Sequence, residues 1–249
     1  VTKPKPSSPT IVTFEDDSLE AVVRKAINKP EGDILSTDVS ELTQLSGANK
    51  NIRSLSGIEN LTALTWLYLS ENQFSDLSPL SSLTTLTGLD LDDNQISDLS
   101  PLSSLNALKT LWLYGNQISD LSPLSSLTAL TELYLSINQI SDLSPLSSLT
   151  ALRVLDLYNN QISDLSPLSS LAALTNLYLP QNQISDLSHL SSLTALTDLD
   201  LNNNPLSDEA FATQIPALEA RGVKVTKPKP SSPTIVTFED DSLEAVVRK

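Results

Sequence analysis

Residues 130–151 read LTELYLSINQISDLSPLSSLTA. Leu130, Leu133, Leu135 and Asn138 set the pattern L-x-x-L-x-L-x-x-N, and residues 139–149 (QISDLSPLSSL) complete the unit. The same text recurs along the chain: Asn72, Asn94, Asn116, Asn138, Asn160, Asn182 and Asn204 stand 22 residues apart without a slip. A fixed period of this length marks a repeat architecture in which no single turn buries its own apolar face and neighbours must stack. Eight units begin at Leu42, Leu64, Leu86, Leu108, Leu130, Leu152, Leu174 and Leu196. The first is degenerate: it keeps Leu45, Ile52, Leu55, Ile58 and Leu61, with Lys50 where the asparagine is expected.

Each unit predicts one short strand with leucines alternating inward, for example Trp112-Leu113-Tyr114. The corner asparagine is expected to satisfy backbone groups of its own turn and of the next, because buried polar groups need partners. Pro79, Pro101, Pro123, Pro145 and Pro167 each follow a serine. The Ser-Pro pair reads as an N-cap with proline at the first position of a short 3₁₀ turn on the outer face. The parallel strands then line the inner face.

The array needs ends. Ser18 is positioned to cap a helix through Leu19–Ile27, which Lys29-Pro30-Glu31-Gly32 breaks. Such a helix would shield the core of the first repeat. A longer helix is expected from Ser207 to Ala220, stopped by Gly222 and followed by a last strand, Val223-Lys224-Val225. The expected organisation is a Pro/Lys/Ser linker at 1–13, a helical N-terminal cap at 14–41, and the repeats at 42–206. A C-terminal cap follows at 207–225. Residues 226–249 are expected to form a further linker with a partial second copy of the first cap.

The period and the L-x-x-L-x-L-x-x-N motif are the leucine-rich-repeat signature. The unit NQISDLSPLSSLTALT, together with a helical cap ahead of it, resembles the internalin type of bacterial leucine-rich-repeat domain over residues 14–225. The resemblance implies an α/β solenoid: a right-handed superhelix with a parallel concave β-sheet, short 3₁₀ turns on the convex side, an α-helical N-cap and a C-terminal helix. It also implies a secreted or surface-displayed bacterial protein that binds partners through its concave face.

Composition sharpens this. The net charge is −15, and between Ser54 and Ala220 only Lys109 and Arg153 oppose 18 carboxylates. Phosphate binding needs clustered cations, so nucleic acid is not an expected partner. The chain has no cysteine, which removes disulfides, thiolate metal sites and cysteine nucleophiles. No apolar run approaches the roughly 20 residues of a membrane span. No cofactor or metal is expected, and the acidic array favours a ligand with a basic surface.

Three columns of outward side chains flank the leucines. One reads Tyr68, Asp90, Trp112, Tyr134, Asp156, Tyr178, Asp200; one starts at Trp66; a third holds Tyr114 and Tyr158. All five tyrosines and both tryptophans of the chain fall on these columns. Large aromatics grouped on one face make interface anchors, so Trp66, Tyr68, Asp90, Trp112, Tyr114, Tyr134, Asp156, Tyr158, Tyr178 and Asp200 are the candidate contacts for a protein or glycan ligand. The other reading of the stripe, roughly 30 Å long at about 4.8 Å per strand, is scaffold consensus with cross-strand packing. Nothing in the pattern supplies a nucleophile and base, so no enzyme is expected. His189, in the place of a repeat proline, reads as a surface-turn substitution. A further column, Asp76, Asp98, Asp120, Asp142, Asp164, Asp186 and Asp208, is expected to accept backbone N–H groups at the convex turn rather than to bind calcium.

The ends of the chain match. Residues 225–249 repeat residues 1–25 without a difference, VTKPKPSSPTIVTFEDDSLEAVVRK. Three readings stand: a natural tandem unit, an engineered overlap, or a tail that covers the array's own end. A scaffold joined head-to-tail, or a homo-oligomer formed through residues 225–249, is the alternative to the recognition module. The tail is expected to be packed against something rather than dangling.

Overall fold

A computed structural model describes residues 9–229 of the chain. The expectation for the tail falls almost wholly on residues 230–249, which lie outside the described residues.

Nine three-residue strands form a single parallel sheet in chain order. They are β3 (Gln44–Ser46), β4 (Trp66–Tyr68), β5 (Gly88–Asp90) and β6 (Thr110–Trp112), then β7 (Glu132–Tyr134), β8 (Val154–Asp156), β9 (Asn176–Tyr178), β10 (Asp198–Asp200) and β11 (Lys224–Thr226). The middle residue of each strand points inward: Leu67, Leu89, Leu111, Leu133, Leu155 and Leu177 are fully buried. Within one unit Leu64, Leu67, Leu69, Phe74, Leu77, Leu80 and Leu83 are at most 1% exposed, so the core is a continuous stack along the array. The strand register corrects the sequence expectation by two residues: the strand of the fourth unit is Thr110-Leu111-Trp112, and Tyr114 lies beyond it. Both readings place leucine between two outward residues, so alternation alone could not choose.

The asparagine ladder holds the corners. Asn160 Nδ2 donates to the carbonyls of Leu135, Leu157 and Tyr158, while its Oδ1 accepts the Ile140 N–H at 3.0 Å. Each such side chain therefore ties its own turn to the preceding unit. Asn94 departs from this pattern. Its Oδ1 is buried without a partner, although its amide makes the usual three bonds. The residue that should donate is Phe74, which stands where the later units have isoleucine. The neighbouring bond from Gln95 N–H to Phe74 O stretches to 3.2 Å, against 2.8 Å at Gln117 and Gln139. Both departures coincide with the change of side chain at position 74.

On the convex side the 3₁₀ turns start at Ser78, Ser100, Ser122, Ser144, Ser166 and Ser188. The serine is not the cap, because it is already the first residue of the turn and the proline is the second. The cap oxygen comes from two residues earlier: Oδ1 of Asp76, Asp98, Asp120, Asp142 and Asp164 each accepts the serine N–H at 2.8 Å. That bond and the serine hydroxyl hold these carboxyls below the usual carboxylate range. Asp186 repeats the bond at 3.1 Å. Asp208 belongs instead to the C-terminal helical segment. His189 sits exposed in a turn of ordinary 3₁₀ form, Ser188–Ser192.

The N-terminal cap begins inside the stretch expected to be linker. Strand β1 (Ile11–Val12) pairs antiparallel with β2 (Ile34–Leu35), bracketing helix α1 (Asp17–Ala26). Asp16, not Ser18, is the N-cap of α1 and accepts the N–H groups of Ser18 and Leu19. Leu19 and Val23 are buried against the first repeat. A short helix α2 (Ser36–Val39) leads into β3. Gly57, at φ +102°, is required where the cap crosses the first repeat, because a Cβ there would collide with the Thr13 carbonyl and the Phe14 ring. At the far end a π-turn, Ala210–Gln214, precedes α3 (Ile215–Ala220). Pro216 brings no N–H and crowds the carbonyl one turn back, so the helix widens ahead of it.

Candidate functional site

The parallel register lines up two rows of outward side chains. The first runs Trp66, Gly88, Thr110, Glu132, Val154, Asn176, Asp198, Lys224. The second runs Tyr68, Asp90, Trp112, Tyr134, Asp156, Tyr178, Asp200, Thr226. Eight of the ten candidates thus share one sheet face. Tyr114 and Tyr158 lie past their strands, at the turn, and Tyr114 is 36% exposed.

Four rings make one connected train across β4 to β7. Trp66 stacks on Tyr68 with centroids 5.8 Å apart at 15°, and Trp112 stacks on Tyr134 at 6.0 Å and 16°. Trp66 and Trp112 join the two pairs at 5.9 Å, tilted by 41°. Offset geometry at these separations is favourable for aromatic pairs. Adjacent strands are about 4.8 Å apart, so Trp66 on β4 reaches Trp112 on β6 only by lying across β5. The residue beneath is Gly88: a Cβ built there would lie only 2.1 Å from Cε3 and Cζ3 of Trp66. Gly88 follows Trp66 in the first outward row. It is the seat of the platform, and a glycine facing a tryptophan on the neighbouring strand was the available signal.

The carboxylates divide into roles. Asp90, Asp156 and Asp200 each use Oδ1 to accept the N–H two residues on, from Asp92, Tyr158 and Asn202, at 3.0–3.1 Å. They fix the exit of their strands as well as facing outward. Asp92, which was not among the candidates, is half-buried and accepts the Tyr114 N–H at 2.7 Å. Burial, reinforced by the charges of Asp90, Asp93 and Asp156 against that one bond, pushes its carboxyl up to about 7. Asp93 is raised by burial and by Glu71 and Asp90. The Tyr134 phenol is raised by burial first, then by Glu132 and Asp156. Ion pairs among the described residues are Arg24–Glu20, Lys29–Asp38 and Lys227–Glu219, all off this face. Tyr178 stays outside the aromatic train and meets Asn176 Nδ2 through its hydroxyl at 3.1 Å. Among the described residues no group of three or more acidic or histidine side chains converges to hold a metal ion, and no helix is long and apolar enough to cross a membrane.

A family model for leucine-rich repeats in two copies matches residues 62–104, 84–126, 128–170 and 172–213. The crystal structure of an internalin C2 from Listeria monocytogenes is 36% identical. Its match covers 91% of this chain and all of that one, with a TM-score of 0.83. The chain belongs to the internalin-type leucine-rich-repeat family. A Listeria monocytogenes internalin (inlF) matches at 32% identity and TM-score 0.55, covering 86% of this internalin-type chain and 76% of its own. A leucine-rich-repeat protein from Leptospira interrogans, at 24% identity and TM-score 0.54 over 76% of this chain and 61% of that one, shares the fold. No curated protein sequence matches. The leucine-rich-repeat, internalin-like fold is that of a protein-interaction module.

Proposed function

We propose that this internalin-type domain is a non-catalytic recognition module of a secreted or surface-displayed bacterial protein. Its ligand is a protein, held on the concave face by Trp66, Tyr68, Trp112 and Tyr134. The observation that carries the reading is the four-ring train, an extended aromatic surface on a sheet whose apolar needs are already met inside. Aromatic side chains of this kind supply most of the affinity at protein interfaces. At the C-terminal end of this face, away from the four rings, a depression lined by Tyr178, Asp198, Asp200, Lys224 and Thr226 is about 130 Å³, well under the several hundred cubic ångströms of small-ligand sites. Replacing Trp112 and Tyr134 together with alanine tests this, with host and bacterial surface extracts passed over both proteins. A partner kept by the parent and lost from the double variant, whose thermal unfolding is unchanged, supports the reading. Equal retention by both defeats it.

A second reading, a scaffold joined head-to-tail, is favoured by one observation. Val225 and Thr226 pair with Leu199 and Asp200 as the last strand of the sheet, and they are also the first two residues of the duplicated segment. In a tandem protein one array would close on residues that already belong to the next copy. Linear particles present with residues 227–249 and absent without them would favour this scaffold.

A further inference from the structure

Asp90 stands inside the aromatic train. In its own row it lies between Tyr68 and Trp112. Two residues back on the same strand is Gly88, over which Trp66 is laid. The carboxylate is therefore framed on three sides by Tyr68, Trp66 and Trp112. Two of its acceptor positions are used, by the Ser70 hydroxyl at 3.0 Å and the Asp92 N–H at 3.1 Å. A carboxylate offers about four. Among the described residues it has no ion pair, and the carboxyl groups of Asp92 and Asp93 beside it are of its own kind.

We infer that Asp90, framed by Trp66, Tyr68 and Trp112, receives a cationic side chain of the protein ligand, with arginine the best fit, and that Gly88 is the positioning residue that creates the frame. The inference rests on the concave-face reading above and narrows it to a partner chemistry. A cation close to indole and phenol rings is drawn by the ring quadrupole. A guanidinium adds planarity, stacking on a ring while its N–H fork addresses a carboxylate. A neutral sugar would stack on the rings but leave the field of the carboxylates unanswered.

The protein carries its own reporter, because its two tryptophans, Trp66 and Trp112, are both part of the frame. The probe is a blocked pentapeptide Gly-Arg-Gly-Arg-Gly, followed by tryptophan fluorescence, against the same peptide with citrulline for arginine. Citrulline keeps the shape and removes the charge. The arginine peptide should saturate the signal with at least about tenfold tighter binding than the citrulline peptide. Asp90→Asn and Gly88→Ala should each lose that advantage, whereas Asp142→Asn, the same charge change on the convex side, should keep it. Near-UV circular dichroism of Gly88→Ala should show the Trp66–Trp112 coupling reduced while the melting curve stays cooperative. Equal binding of the two peptides, or an equal loss in Asp142→Asn and Asp90→Asn, overturns the inference in favour of a diffuse charge effect. An unchanged dichroism spectrum and affinity in Gly88→Ala overturns the role of the glycine. If the arginine peptide is silent while a protein partner is still lost on removing Trp112 and Tyr134, the cation site fails and the concave-face reading stands. If both are silent, both fail.

Discussion

The Asp16 carboxylate reaches across 37 residues to accept the Arg53 N–H at 2.7 Å, with the same side chain capping α1. One residue thus closes the cap helix and fastens it to the first repeat. Burial raises its pKa, but the N–H groups of Arg53, Leu19, Ser54 and Ser18 together outweigh that and hold it below the ordinary value. A depressed carboxyl contributes stability that is present above its unfolded pKa and is lost as pH falls through the folded one. Asp16→Ala should cost about 1–2 kcal/mol at neutral pH, read by urea denaturation, and that deficit should shrink on acidification below about pH 4. A deficit that grows in acid would contradict the assignment.

The corner asparagines should not be equivalent. Asn160→Ala strips partners from the Ile140 N–H and three carbonyls, and at about 1–3 kcal/mol for each group left buried and unpaired it should cost about 3 kcal/mol or more. Asn94→Ala should cost measurably less, since its oxygen already lacks a donor. Phe74→Ile in the parent background should restore that bond. Denaturant midpoints of the three variants decide it, and an Asn94 loss equal to that at Asn160 would rule the explanation out.

Asp92 acts in the opposite direction from Asp16. With its folded pKa pushed up to about 7, the native state binds the extra proton between about pH 4 and 7, so stability falls as pH rises through that window. Asp92→Asn keeps an acceptor for the Tyr114 N–H and removes the charge. It should match the parent at pH 4 and exceed it at pH 8 by about 1–2 kcal/mol, after allowance for solvent screening on the exposed side. Melting temperatures across pH 4–8 would show the gap opening; a constant gap would count against the shift.

Truncation should have a sharp boundary within the duplicated segment. Thr226 O accepts the Leu201 N–H, and Lys224 N–H bonds Thr197 O. A chain ending at Thr226 should protect the Leu201 amide from hydrogen exchange as the full chain does. One ending at Val223 should lose that protection and expose Leu199. Equal protection in the two truncations would mean that β11 adds nothing to β10.

The leucine and asparagine periods made the solenoid legible, because a 22-residue period gives each core position nearly the same residue and partners from unit to unit. The aspartate column was legible for the same reason. Single-copy features were not. Asp16, Asp17 and Ser18 are all competent N-caps, and only the extended backbone at Asp16, at φ −108° and ψ 116°, selects one of them. Ile11–Val12 looks like linker until Ile34–Leu35 is brought beside it. On the concave face the stripe of aromatics was visible, but its connection was not. That depends on one tryptophan crossing a neighbouring strand, a contact 22 residues away in sequence, and on a glycine whose importance is the side chain it lacks.

Almost every hydrogen bond between units joins residues between 20 and 25 positions apart, as with Asn182 to Leu157 and Ile162. No bond of this ladder spans two units, so tension applied at the two ends of the array has no long-range clasp to break. The mechanical consequence is a molecule that pays out one coil at a time. Each coil releases about 70–80 Å of chain when its 22 residues straighten, and the coils behind keep their shape while the outer ones give way.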